Sequence, residues 1–138
     1  MIVLDASVLI AHFKADDAHH VRAGEWLFVA AAHDLGASSV TLAEALVGPT
    51  RARKLEEART AIREIGIAEI PIPWGAAERL AALRVNAGTK LPDCCVLLAA
   101  QDVAAEAVLT FDDRLGRSAR ALGLSTEVPR DPDDEDVQ

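Results

Sequence analysis

Tyrosine is absent from the 138-residue chain, and aromatic residues make up only 4% of it. With hydrophobic residues at 51%, the interior has to be packed by Ala, Val, Leu and Ile. Long hydrophobic runs are also missing. Continuous apolar stretches such as residues 26–32 fall far short of the ~20 residues that a membrane helix needs, so no membrane span is expected. The start, Met-Ile-Val-Leu-Asp, has no basic segment before its apolar residues and an acid among them, so no signal peptide is expected. There are two cysteines, and they are adjacent, Cys94 and Cys95. Neighbours on a helix point in different directions and do not build a disulfide framework, and neither has partners at zinc-ligand spacing. They read as small core residues of a protein in a reducing cytoplasm. Internal repeats are absent too, as is any Ser-His-Asp or Cys-His constellation.

Positive charge is scarce. The chain has 14 Lys and Arg against 22 Asp and Glu, a net charge of −8, which at first argues against a nucleic-acid ligand. Half of that charge sits in the last nine residues, which hold five acids and one Arg. Proline and like charge in that segment leave nothing to pack, so residues 129–138 read as a disordered acidic tail. Residues 1–128 suit one compact domain.

Hydrophobic periodicity in that domain alternates between strand and helix. Residues 2–4, 36–39, 68–72 and 107–110 read as strands, with 124–128 as a last edge strand. Helices are predicted over 8–13 (capped by Asp5 or Ser7), 20–32, 41–47 (stopped by Gly48-Pro49), 52–65, 75–86, 93–103 and 114–122. In 52–65, Leu55, Ala58, Ile62 and Ile65 line one face. The helix after Pro92 is apolar nearly all round, the mark of a buried helix. Such alternation implies an α/β fold with a parallel sheet covered by helices on both faces. Ligands of such sheets bind beyond the carboxyl ends of the strands.

Four acids fall at that edge. Asp5 follows the first strand and Asp112 follows the fourth. Glu44 and Asp93 lie in the first turns of helices. Each also has a plain structural reading. Asp5 reads as a helix cap, and Thr41-Leu-Ala-Glu44 as a capping box. Asp93 suits a helix dipole, and Asp112-Asp113 a turn. Their joint placement is what points to chemistry. Converging carboxylates repel, and a hard divalent cation relieves the repulsion. All-oxygen ligands suit Mg²⁺ or Mn²⁺. Such ions support phosphodiester hydrolysis.

The segments Ile2-Val-Leu-Asp5-Ala-Ser7-Val-Leu-Ile10, Ser39-Val-Thr41-Leu-Ala-Glu44, Leu91-Pro92-Asp93-Cys-Cys-Val-Leu-Leu-Ala-Ala100 and Leu109-Thr110-Phe-Asp112-Asp-Arg-Leu115 stand in the order seen in PIN-domain ribonucleases. Over residues 1–128 the chain resembles that family, and within it the VapC-type toxins of type II toxin–antitoxin systems. The resemblance implies a PIN-like three-layer sandwich with a parallel five-stranded sheet. It also implies Mg²⁺ or Mn²⁺ held by catalytic Asp5, Glu44, Asp93 and Asp112, with Ser7 and Thr110 in support. The Thr-x-Asp pattern favours Asp112 over Asp113 as fourth ligand. It further implies a cytoplasmic endoribonuclease acting on an RNA such as tRNA or rRNA, a homodimer, and a cognate antitoxin that silences it. The cysteines replace small residues of the family pattern, and the acidic tail lies outside it.

RNA also needs cations around the acids. Lys90, Arg114 and Arg117 are the candidates, with Arg120 continuing the three-residue recurrence and Arg51, Arg53 and Lys54 as a separate cluster. Each cluster also reads as a solvated helix face. His12, His19 and His20 read as surface residues. Trp26, Phe28 and Trp74 suit core or dimer interface better than base stacking. Two other readings compete. A phospho-receiver domain needs an early acidic pair, a mid-chain Asp and a late Lys; this chain has one early acid, no Asp between Asp34 and Asp93, and Arg near its end. A catalytically silent PIN-like binding module is disfavoured by the presence of all four acids.

Overall fold

The computed structural model describes residues 1–130. The element order is β1 (Ile2–Leu4), α1 (Ala6–Phe13), α2 (His20–Ala30), β2 (Leu35–Ser38), α3 (Ser39–Arg51), α4 (Leu55–Ile65), β3 (Ile67–Ile70), α5 (Ala77–Ala87), α6 (Leu91–Asp102), β4 (Ala107–Leu109) and α7 (Asp113–Ala121). The strands pair in parallel in the order β3-β2-β1-β4. Alternation along each strand sends side chains to two separate cores. Ile2, Leu4, Ala107 and Leu109 face α1, α2 and α3, while Val3 and Val108 face α5, α6 and α7. The result is the α/β sandwich with helices on both faces that the hydrophobic pattern predicts.

The α6 helix explains its own composition. It packs against α3, α5, β1 and β2, and every residue from Cys94 to Ala100 is buried. Leu97 is wholly inaccessible to solvent. On β2, a Cβ on Gly36 would lie 2.6 Å from the Met1 Sδ and 2.9 Å from the Ile70 Cδ1, so a larger residue there would have to push these side-chain ends aside.

Four expectations are corrected. The sheet has four strands among the described residues, not five. Residues 124–128 make one ladder-like contact, from the Val108 N–H to the Ser125 carbonyl at 2.8 Å. There the Ser125 hydroxyl competes for the backbone, bonding the N–H and C=O of Glu127, each at 3.3 Å. Next, α3 runs on through Pro49 to Arg51. Proline that close to a helix end forfeits one bond of the last turn, and its own carbonyl accepts the Lys54 N–H at 2.8 Å. The same helix begins early: Ser38, not Thr41, is its cap, accepting the Val40 N–H at 3.3 Å. Thr41 and Glu44 therefore form no capping box, and Glu44 stands in the second turn. Finally, His12 and His20 are half-buried. The Nδ1 of His20 lies 2.8 Å from the Ala11 carbonyl, and burial followed by the neighbouring His20 pushes the His12 pKa down. Residues 131–138, most of the expected tail, lie outside the described residues.

Candidate active site

The strand order reverses direction at β1: β2 lies on one side of it and β4 on the other. Crevices at such switch points are where parallel sheets bind ligands. Asp5 leaves the end of β1 there, and Thr110 and Asp112 follow β4. The Asp5 N–H donates to the Leu109 carbonyl at 3.0 Å, which locks the two strand ends together.

Asp5 begins α1 yet its side chain makes no cap bond. Its Oδ2 instead accepts the hydroxyls of Thr110 at 2.7 Å and Ser7 at 2.8 Å. Those hydroxyls are themselves held by the N–H of Asp112 at 2.9 Å and that of Phe111 at 3.0 Å. A buried carboxylate, 6% exposed, is thus fixed by one oxygen while its Oδ1 has no hydrogen-bond partner among the described residues. Asp112 is fixed likewise. As the cap of α7 its Oδ1 accepts the N–H groups of Arg114 at 2.9 Å and Leu115 at 3.3 Å, leaving Oδ2 free. Asp113 sits one residue on, in the first turn of α7, and is exposed.

Glu44 and Asp93 complete the group. Burial, then the negative charges of Asp5 and Asp93, push the Glu44 carboxyl above its ordinary range. Asp93 is pushed up by burial, then by Asp5 and Asp112, against the pull of Lys90 and Arg114. Asp5 thus lies near enough to act on both Glu44 and Asp93, and Asp112 near enough to act on Asp93. Glu44, Asp93 and Asp112 share the lining of a cleft of about 280 Å³ with Lys90 and Arg114. Beneath it lies Cys95, whose thiol is pushed up by burial, then by Cys94 and Glu44, and so stays protonated.

Other expected residues land elsewhere. Arg117 lies one turn beyond Arg114 on α7, outside the acidic cleft. Arg120 turns away and donates to the Thr126 hydroxyl at 2.9 Å. Arg51, Arg53 and Lys54 occupy the α3–α4 turn and line no part of the cleft. Trp26 stacks on Phe111 at 4.4 Å, His19 stacks on Phe111 at 4.4 Å, and Arg22 lies over Trp26 at 5.2 Å. Phe111 separates Thr110 from Asp112, so this stack buttresses the site from outside. Thr89 was not expected to matter. It is buried beside Cys94, its carbonyl accepts the Arg84 guanidinium at 2.6 Å, and it carries Lys90 to the cleft edge. The only sequence cue was Gly88, whose φ of +67° ends α5 and starts this turn.

A model of the PIN domain family matches residues 2–121. The chain belongs to the PIN-domain family. A search of curated proteins finds no significant match. Among solved structures, this PIN domain is similar to Mycobacterium tuberculosis VapC20, described as a Sarcin-Ricin loop cleaving toxin, with a TM-score of 0.73 and 18% identity over 94% of this chain and 100% of that one. A toxin–antitoxin complex from Klebsiella pneumoniae aligns with a TM-score of 0.67 and 25% identity over 84% of this chain and 90% of that one. The PIN fold thus accounts for the parallel sheet and its flanking helices.

The donor set of this PIN domain also fits a hard cation. Glu44, Asp93 and Asp112 offer carboxylate oxygen to the cleft, and two of these acids are pushed up by burial and by neighbouring acids. Among the described residues no three His, Cys, Asp or Glu side chains are close enough to enclose an ion by themselves. A hard divalent cation that retains several waters and binds through one or two carboxylates is the kind such an open set suits.

Proposed function

We propose that the chain is a metal-dependent endoribonuclease, the toxin of a toxin–antitoxin pair, acting in the cytoplasm. The observation that carries this reading is the convergence of carboxylates at the sheet's switch point: Glu44, Asp93 and Asp112 line one cleft, and Asp5, at the end of β1, acts on both Glu44 and Asp93. A structural cap has no need of such acidic neighbours. Asp5, Glu44, Asp93 and Asp112 are the catalytic and metal-holding residues, and residues 1–128 form the catalytic domain. Mg²⁺ or Mn²⁺ bound there supplies charge neutralisation and a Lewis acid for hydrolysis of the RNA phosphodiester.

The chain's own residues do the positioning. Ser7 and Thr110 hold Asp5 by Oδ2 and leave Oδ1 unbonded among the described residues. The α7 backbone holds Asp112 by Oδ1 and leaves Oδ2. Preset oxygens of this kind lower the reorganisation needed at the reacting phosphate. Asp113 is the alternative fourth ligand, but no backbone bond fixes its carboxylate. Lys90 and Arg114, on the cleft wall, and Arg117 beyond them bind flanking phosphates. The antitoxin and a second copy of the chain are the protein partners. Phe28 and Trp74, which stand exposed, support such contacts.

The test is incubation of antitoxin-free protein with total tRNA and rRNA in Mn²⁺, in Mg²⁺ and in EDTA. Discrete cleavage that EDTA abolishes is the expected result. Intact RNA in all three, with folded protein, overturns the proposal.

The phospho-receiver alternative needs a mid-chain acceptor Asp after a strand, and the sequence has no Asp between Asp34 and Asp93.

A further inference from the structure

Beside the acidic cleft lies a second cavity, of about 470 Å³, between α5 and α7. Its size falls within the ~300–1,000 Å³ of small-ligand sites. The two cavities share one wall, made by Thr89 and Arg114. That wall is built rather than incidental. Thr89 is 5% exposed, its carbonyl is held by Arg84 at 2.6 Å and its hydroxyl lies 3.3 Å from the Cys94 Sγ.

The second cavity differs in chemistry from the first. No acid lines it among the described residues; its charged groups are Arg114 and Arg117. Leu83 and Leu122 give it an apolar surface, while Asn86 and Ser118 supply neutral donors and acceptors. Arg114 also acts electrostatically on Asp93, so one guanidinium serves both cavities.

We infer that this cavity is a nucleotide subsite that takes the base next to the phosphate held over the acids, a reading that rests on the ribonuclease proposal. An apolar wall and guanidinium planes accept the faces of a base, as in single-stranded RNA recognition. The Asn86 amide, with an acceptor and two donors, can pair with a base edge and so discriminate between bases. Arg117 meets the phosphate on the far side. The subsite makes the enzyme selective for a residue adjoining the cut, beyond the backbone chemistry of the four acids.

The test is titration of the ¹⁵N-labelled full chain in EDTA with AMP, CMP, GMP, UMP and ribose 5-phosphate, followed by NMR. The expected result is saturable movement of the Asn86 side-chain and Ser118 amide signals, tightest for one base and weaker for ribose 5-phosphate. Arg117→Ala weakens every nucleotide by about tenfold, as loss of a charge-assisted bond should. Asn86→Leu flattens the preference among bases. Equal binding of ribose 5-phosphate overturns the base-reading role, and so does movement confined to other surfaces. Silence towards all nucleotides, with protection of the same amides by the antitoxin, overturns it in favour of a protein-docking pocket. Chain that cleaves RNA but fails the titration loses only the subsite. Chain that passes the titration but cleaves nothing loses only the nuclease reading.

Discussion

Neutralising Glu44 and Asp93 together, as Glu44→Gln with Asp93→Asn, is expected to stabilise the metal-free protein at pH 7. Both carboxyls are pushed above their ordinary range, by burial first and by neighbouring acids second. Below the unfolded-state pKa both states are protonated and nothing is lost. As pH rises through the window between the unfolded and folded values, the unfolded chain releases its protons first and stability falls. Above the folded value the whole penalty is present. Glu44 is exposed and Asp93 half-buried, so water screens the repulsion to at most about 1 kcal/mol for a pair of charges. The first turn of α6 offsets part of this, since a negative Asp93 is favoured there by ~0.3–1 kcal/mol. The net gain for the double variant is therefore at most about 0.7 kcal/mol, or roughly 2 °C in Tm for a chain of this size. Thermal melts in EDTA at pH 7 and pH 4 read it, and the difference between variant and parent should shrink at the lower pH. Mn²⁺ at about ten times its Kd should raise the parent by about 1.4 kcal/mol and leave the variant unmoved. A variant that melts lower than the parent in EDTA at pH 7 refutes the claim that these acids are held together against their repulsion.

Three other substitutions separate positioning from packing. Thr110→Val removes the hydroxyl that binds Asp5 Oδ2 and accepts the Asp112 N–H; RNA cleavage should fall at least tenfold while denaturant melts lose only about 1 kcal/mol. Leu97→Ala empties the centre of α6 and should cost about 2–5 kcal/mol by urea unfolding, with cleavage by the remaining folded protein little changed. Thr41→Val removes a fully buried hydroxyl that has no hydrogen-bond partner, and should be neutral or stabilising by up to about 1 kcal/mol in the same melts.

The frame was legible where one physical signal dominated. Uninterrupted apolar runs at residues 2–4 and 107–109 fit strands buried on both faces, and the all-round apolar α6 fits an enclosed helix. Strand ends placed Asp5 and Asp112 at one edge without any knowledge of packing. The misreadings came where local signals competed. Thr41 and Glu44 have capping-box spacing, but Ser38 lies one turn earlier and takes the cap. Pro49 is a strong stop in mid-helix and a weak one in a last turn. Residues 124–128 have a strand-like pattern, but the Ser125 hydroxyl captures the Glu127 backbone. Within the site, sequence could name Ser7 and Thr110 through the family pattern, yet not show that both bind the same Asp5 oxygen. Nor could it divide the arginines: Arg114 and Arg120 share a helix, and only the fold sends one to Asp93 and the other to Thr126.

The central claim is that four carboxylates at the switch point form a metal-dependent nuclease centre. It is tested most directly by single-turnover cleavage of a labelled RNA by parent and Asp93→Asn protein, side by side in Mn²⁺ and in EDTA. The account predicts metal-dependent cleavage by the parent and a loss of at least a hundredfold in Asp93→Asn with the fold intact, in line with removal of one stabilising group at a reacting centre. Equal cleavage by the two proteins, or cleavage unaffected by EDTA, would contradict it.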